Sequence, residues 1–355
     1  MASVTGAPPK GPRNLTGMSH PTPLGMPPMP PPTTDPPWKK AWDAALYGPG
    51  GFFRRESPVA HFRTSVHASP LFAQAVVTLT RRAGLDTIVD VGAGRGELLA
   101  EVHRIDPSLT LLGVEVAPRP SELPDAVDWS PTLPVEVDGL VVANEWLDNI
   151  PCHVVEVDPS GTPRVVHVDP TTGHETLGAA LTARAVPAGL AAWCVQWWPL
   201  DDAPPGTRAE VGTTRDEAWS DVVGRVTRGL AVAVDYGHTT QSRPPFGTLR
   251  SYLDGREVDV LPDGSRDVTA HVAVDSVAAR SSGTVLRQRE ALRALGVSGT
   301  RPDLALATQD PSGYVRALSR AGEATELTDE AGLGGFSWVV TRRGDVPPLG
   351  ELLTR

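Results

Sequence analysis

The sequence predicts an α/β protein built on a mostly parallel sheet covered by helices on both faces, and three observations predict it. Short β-branched and aliphatic runs at 87–91, 109–116, 138–143 and 229–236 alternate with segments of helical apolar spacing. Those runs are nearly continuous in apolar residues, the pattern of strands buried on both faces. The first run leads at once into Gly92-Ala93-Gly94-Arg95-Gly96 and then a helix, a tight turn where a ligand can approach backbone.

The 355 residues are 40% hydrophobic and 21% charged, enough for a sizeable core in one large domain or two smaller ones. Residues 1–37 hold twelve of the 36 prolines, with Pro-Pro-Met-Pro-Pro-Pro at 27–32, and are expected to be a disordered Pro-rich tail. Order is expected from Trp38, where Trp38, Trp42, Ala45 and Leu46 recur at helical spacing until Gly48-Pro49-Gly50-Gly51 stops them. A second helix has Ser69 as N-cap, Pro70 at its first position, an apolar stripe of Leu71, Phe72, Ala75, Val76 and Leu79, and Gly84 just past its end. Residues 38–84 thus form a helical lead-in to a core at 85–239, with a helix at 97–104 between its first two strands. An insertion at about 152–228 interrupts the core. It opens with a hairpin, 153–157 and 164–168, and continues through Trp193, Trp197 and Trp198 to a helix near 216–226. Residues 240–345 are expected to close the fold and supply a substrate region, with helices near 286–295 and 311–321 and a late strand at 335–341. Residues 346–355 read as a tail. The sequence shows no internal repeat.

Composition excludes several classes. The net charge is −10, so the chain lacks the basic footprint of a general nucleic-acid binder. Its basic residues are 29 Arg and three Lys, a bias of the kind high-GC codon usage produces. Cys152 and Cys194 are too few for a disulfide framework or a cysteine zinc site, and Cys152 reads as a buried thiol. No H-E-x-x-H motif is present, so no catalytic metal is expected. The apolar-rich uncharged run at 185–200 is too short and too interrupted by proline and glycine to span a bilayer. No secretory h-region is read at the N-terminus. The expectation is a soluble, cytoplasmic protein that does not insert into membranes.

Chemistry concentrates at four places. Asp90 directly precedes the glycine turn, which is G-x-G-x-G rather than the G-x-G-x-x-G of a dinucleotide site. An acid there repels a pyrophosphate and suits a cation; S-adenosylmethionine carries an ammonium and a sulfonium and no phosphate. Glu115 ends the second strand, 23 residues after Gly92, near the spacing at which an acid accepts ribose hydroxyls. Asp90, Gly92, Gly94, Gly96 and Glu115 are therefore the candidate S-adenosylmethionine residues. The third strand ends in Asn144-Glu145-Trp146-Leu147-Asp148-Asn149-Ile150-Pro151. Asn144, Glu145 and Asp148 bring an amide and two carboxylates to the sheet edge where ligands bind, and are the candidate catalytic residues. Asp148 capping a short helix is the structural alternative. Asp235-Tyr236-Gly237-His238 ends the last apolar strand, with Tyr236 and His238 able to handle protons, although a tyrosine at a strand end more often serves packing. In Asp267-Val268-Thr269-Ala270-His271, the histidine reads as structural.

In combination these residues resemble the MidA-type family of S-adenosylmethionine-dependent methyltransferases, whose mitochondrial member is a complex I assembly factor and protein arginine methyltransferase. The resemblance runs in order from Ala45-Leu46-Tyr47-Gly48-Pro49 through Phe62-Arg63-Thr64-Ser65 and the glycine turn to the Asn144–Pro151 motif. It continues through Asp235-Tyr236-Gly237-His238, Gly247-Thr248-Leu249-Arg250-Ser251-Tyr252 and Asp267-Val268-Thr269-Ala270-His271-Val272. It implies a Rossmann-like core with an added, partly helical substrate region, and transfer to an arginine side chain of a protein partner, a respiratory-complex subunit among the candidates. Departures sit on the acceptor side: Ala60-His61 and Val66-His67 flank the Phe-Arg-Thr-Ser segment, and Val272-Ala273-Val274 replaces a V-D-F. Two other readings stay open. One is a small-molecule methyltransferase with the Trp193, Trp197 and Trp198 cluster as an apolar pocket; the other is a non-catalytic assembly factor that binds S-adenosylmethionine.

Overall fold

Alternation along each β-run decides the layers. Ile88, Leu111, Leu140, Val142, Leu230 and Val232 point to one face of a seven-stranded sheet, and Val89, Val91, Val141, Ala143, Ala231 and Ala233 to the other. Both faces must be covered, and both are. This architecture belongs to a computed structural model that describes residues 34–55 and 65–354. Most of the proline-rich stretch and segment 56–64, which includes Phe62-Arg63-Thr64, lie outside the described residues.

The lead-in comprises α1 (Trp38–Tyr47), α2 (Phe52–Arg55), α3 (Ser65–Ala68) and α4 (Pro70–Arg82). Ser69 caps α4 as its residue type predicts, its Oγ accepting from the Leu71 N–H at 3.0 Å. The first half of the core follows as β1 (Thr87–Val91), α5 (Glu97–Ile105), β2 (Thr110–Val114), β3 (Val127–Ser130) and β4 (Val137–Asn144). A 3-10 turn, Leu147–Asn149, leads into the insertion: β5 (His153–Val157), β6 (Pro163–Val168), β7 (Glu175–Ala180), α6 (Leu190–Trp197) and β8 (Arg208–Val211). The chain re-enters the core through α7 (Thr213–Arg225) and β9 (Val226–Asp235), then β10 (Gly237–His238). Three short strands, β11 (Arg250–Leu253), β12 (Arg256–Val258) and β13 (Asp267–Thr269), precede β14 (Val272–Ala273) and α8 (Val274–Ser281). The fold closes with β15 (Thr284–Arg287), α9 (Gln288–Ala294), α10 (Leu304–Gln309), α11 (Pro311–Thr328), β16 (Ser337–Arg343) and α12 (Leu349–Leu352).

The strand order of the large sheet is β15-β16-β9-β4-β1-β2-β3. From β9 to β3 all pairs are parallel, and β16 runs antiparallel between β9 and β15. Helices α4, α5, α9 and α11 cover one face, and α7 and α8 the other through Trp219, Val222 and Val277. The insertion is a separate antiparallel sheet of order β7-β6-β5-β8. Trp38 and Trp42 of α1 pack on one of its faces with Val154 and Val166; Trp193, Cys194 and Trp198 pack on the other with Val155 and Val211. Trp193 and Trp198 are thus the insertion's core, which removes the expected option of a tryptophan-built substrate pocket.

Three boundaries differ from expectation. Order starts before Trp38: Pro36 O accepts from the Val168 N–H at 3.0 Å, and Pro37 bridges to His167, so the end of the proline-rich stretch runs along β6. Residues 346–355 are not simply a tail, because α12 and its approach bury Val346 and Leu352. Leu286 belongs to β15 rather than a helix, since its strand pairs with β16, a partner some fifty residues away that no local pattern reveals. Among the described residues no helix is long and apolar enough to cross a membrane.

Gly229 has φ +138° and faces Gly139 across β9 and β4, where an added Cβ would sit 1.9 Å from the Gly139 carbonyl oxygen. Gly229→Ala is expected to cost about 2 kcal/mol through forced separation of two central strands. A lowered denaturation midpoint checks this; an unchanged midpoint contradicts the pairing.

Candidate active site

Parallel strands β1, β2, β4 and β9 all release their chains at one edge, and a cavity of about 520 Å³ lies there. Tyr47 and Phe53 from the lead-in and Leu333 and Phe336 from the approach to β16 line it opposite the strand ends.

The cofactor end is built by the turn after β1. Gly92, Gly94 and Gly96 have φ of +71°, +58° and +79°, which only glycine adopts without strain. Their roles separate when a Cβ is added: at Gly92 it would meet Trp146 Cδ1 at 2.6 Å, and at Gly96 Leu123 Cδ1 at 2.6 Å. At Gly94 its nearest neighbour is Glu97 Oε2 at 3.5 Å. Gly92 and Gly94 line the cavity, with Gly94 leaving its space open. Gly96 does not line it; its left-handed backbone starts α5, over Leu123 and Trp129. Glu115 reaches across from the end of β2, Oε2 accepting from the Gly94 N–H at 3.2 Å and Oε1 from the Val116 N–H at 2.6 Å. Burial raises its pKa despite those N–H groups. Asp90 is 4% exposed. Burial, reinforced by Glu97 and Glu115, holds its pKa well above the usual carboxylate range.

The other end is built by β4 and β9. Glu145 has φ +52°, a left-handed conformation that costs a non-glycine residue about 1–2 kcal/mol. Its N–H donates to Val234 O at 2.8 Å, and its Oε1 accepts from the Ser65 N–H at 3.2 Å and Asn144 Nδ2 at 3.1 Å. Asn144 Oδ1 is buried without a partner among the described residues. Asp148, in the 3-10 turn, accepts from the Tyr236 hydroxyl and from Thr269 Oγ1. Asp267 accepts from Asn149 Nδ2 at 2.9 Å. Beneath them Asp235 Oδ2 takes the N–H groups of Leu147 and Asp148 at 3.0 and 3.2 Å. Burial drives the pKa values of Asp148, Asp235 and Asp267 upward. Arg215 of α7, 1% exposed, donates to the carbonyls of Asp148, Ile150 and His271 and thereby ties the two acidic loops together.

All three candidate catalytic residues and four of the five candidate cofactor residues therefore line one cavity. Tyr236, which the sequence leaves between proton handling and packing, and Asp267, to which it assigns no role, line it too. The signal for Tyr236 was present: Val234 pairs with Asn144, so Asp235-Tyr236 emerges beside Glu145. Asp267 and Thr269 share a side of a three-residue strand, too short for a legible period. His238 and His271 do not line the cavity. His238 takes a hydrogen bond from Arg243 at 2.6 Å, and burial holds its pKa down to about 3.

A doubly covered, mostly parallel sheet with an acid, a glycine turn and a second acid at its carboxyl edge defines a Rossmann-like nucleoside-binding enzyme. The comparisons refine that class. Residues 104–287, just over half of the chain, match the family described as "Putative S-adenosyl-L-methionine-dependent methyltransferase", and the chain belongs to this family. A COG1565 superfamily member from Burkholderia thailandensis, solved bound to S-adenosyl-homocysteine, is 24% identical with a TM-score of 0.68, the alignment covering 90% of this chain and 91% of that one. A native structure of an uncharacterised COG1565 superfamily protein from the same organism is 23% identical with a TM-score of 0.71, covering 90% of each chain. These two likenesses are of fold. No curated protein matches the chain.

The cavity suits the family's cofactor: the buried Asp90 and the half-buried Glu115 call for a cation and hydroxyl donors, and Gly94 leaves backbone open. Gly94→Val is expected to abolish binding of S-adenosylmethionine by placing a branched side chain in that space. The rise in denaturation midpoint that the cofactor gives the wild type should be absent. A variant that keeps the full rise would remove Gly94 from the site.

Proposed function

We propose that the protein methylates an arginine side chain of a protein partner, with a respiratory-complex subunit as the first candidate. One observation carries the reading. The cavity lining includes six carboxylates (Asp90, Glu97, Glu115, Glu145, Asp148 and Asp267) and, among the described residues, no Lys, Arg or His. Such a lining repels anionic acceptors and favours a cation at the end away from the cofactor residues. A guanidinium fits that end best among biological cations. It is planar, accepts bidentate pairing with carboxylates, and stacks on aromatic rings such as the lining Tyr47, Tyr236 and Tyr252.

Bound S-adenosylmethionine supplies an electrophilic methyl group with a good leaving group, so the chain's own residues have positioning and charge to provide. Asp90, Gly92, Gly94 and Glu115 hold the cofactor. Asn144 presents its buried Oδ1, which has no partner among the described residues. Glu145, held in its strained backbone by Val234, orients the acceptor. Tyr47, Phe53, Leu333 and Phe336 exclude water and strengthen each electrostatic contact.

Incubation of the protein with tritiated S-adenosylmethionine and cell lysate should place label in protein, recovered after acid hydrolysis as methylarginine. Glu145→Gln should retain cofactor affinity and lose turnover by about 10²-fold. Label confined to small molecules, or a Glu145→Gln variant with wild-type turnover, contradicts the reading.

A further inference from the structure

The 3-10 turn Leu147–Asn149 brings Asp148 to the cavity with its two oxygens in different states. Oδ2 accepts from the Tyr236 hydroxyl and, at 2.7 Å, from Thr269 Oγ1; the two hydroxyls lie 2.6 Å apart. Oδ1 is buried and has no partner among the described residues, on a residue 4% exposed that lines the cavity. Glu145 differs, because its Oε1 is engaged by Ser65 and Asn144. A carboxylate clamped through one oxygen, with the other buried and unpartnered among the described residues, is incomplete until something donates to it.

We propose that Asp148 is the proton acceptor of the reaction, with Tyr236 and Thr269 as positioning residues that fix its carboxylate. The proposal rests on the methyl-transfer reading above. A nitrogen that bonds a methyl group does so with its own electron pair, while the donor sulfur keeps the pair of the bond it gives up. The nitrogen then carries one charge in excess. It sheds that charge by breaking an N–H bond, whose electrons stay on nitrogen while the proton passes to Asp148 Oδ1. The proton leaves for solvent when the methylated product departs.

The groups around Asp148 set its pH behaviour. Asp235 and Tyr236 face it from the end of β9, Asp267 from β13, Arg215 from α7, Tyr47 from α1 and Tyr252 from β11. Burial raises its pKa; the hydrogen bonds from Tyr236 and Thr269, then the charge of Arg215, oppose that rise. Rate therefore falls as pH drops through the raised value. Removal of the Tyr236 hydroxyl should move that acid limb to higher pH.

The test uses tritiated S-adenosylmethionine with lysate protein as acceptor. Asp148→Asn is expected to lose about 10²-fold or more in turnover while keeping the cofactor-induced rise in denaturation midpoint. In Tyr236→Phe the acid limb should shift upward. The carboxyl ¹³C resonance of Asp148 in the ligand-free protein, identified by its absence in Asp148→Asn, should titrate at higher pH as well. Asp148→Asn activity within twofold of wild type, or a Tyr236→Phe variant with unmoved limb and resonance, overturns the proposal. If Asp148→Asn fails to fold, Tyr236→Phe decides. A wild-type protein that labels no protein overturns the acceptor reading and this proposal together, whereas label with a fully active Asp148→Asn overturns this proposal alone.

Discussion

Everything at the carboxyl edge of the sheet depends on holding many carboxylates close together away from water. Charges of one sign so placed repel, and each loses hydration on burial. The fold meets this with backbone dipoles and one buried cation. Gly94, Val116 and Ala117 direct N–H groups at Glu115, and Leu147 and Asp148 direct theirs at Asp235. Arg215 contributes its charge while its donors go to three carbonyls, so it steadies the acids without neutralising any single one. What remains is an appetite for a cation, which a methyl-sulfonium donor meets.

The insertion and the lead-in make that arrangement possible. Helix α1 packs on the insertion's sheet, and Trp42 Nε1 donates to Val268 O at 2.9 Å beside a stacked Arg215 guanidinium. The same helix places Tyr47 over the cavity. The lead-in and insertion thus act on the active site as wall and brace, while the parallel core supplies the strand ends. The antiparallel β16 plays a parallel role on the other flank, since its approach carries Leu333 and Phe336.

Much of this was legible in the residues. The bounds of β1 at 87–91 and the Ser69-Pro70 start of α4 coincide with expectation because local chemistry, β-branching and capping, decides both. The cofactor end was legible for the same reason: acid, turn and helix are contiguous in the chain. The far end was legible only in part. Asn144, Glu145 and Asp148 follow one strand, but Asp267 and Thr269 come from a three-residue strand positioned by pairing with β11. Arg215 sits on a helix where periodicity alone would place an arginine at the surface; three distant carbonyls and the Trp42 ring explain its burial. Gly96 shows the converse, a motif glycine that serves the turn and packs over Leu123 and Trp129 outside the cavity lining.

A calorimetric titration of the ligand-free protein with S-adenosylmethionine at about pH 6.5, in two buffers of different ionisation enthalpy, tests the cation-demanding cavity most directly. Acids whose pKa values are raised by burial must ionise when a cation arrives, so binding should release protons. One site per chain with net proton release is the predicted result. Saturable binding with no proton exchange, or no binding at all, would contradict the account.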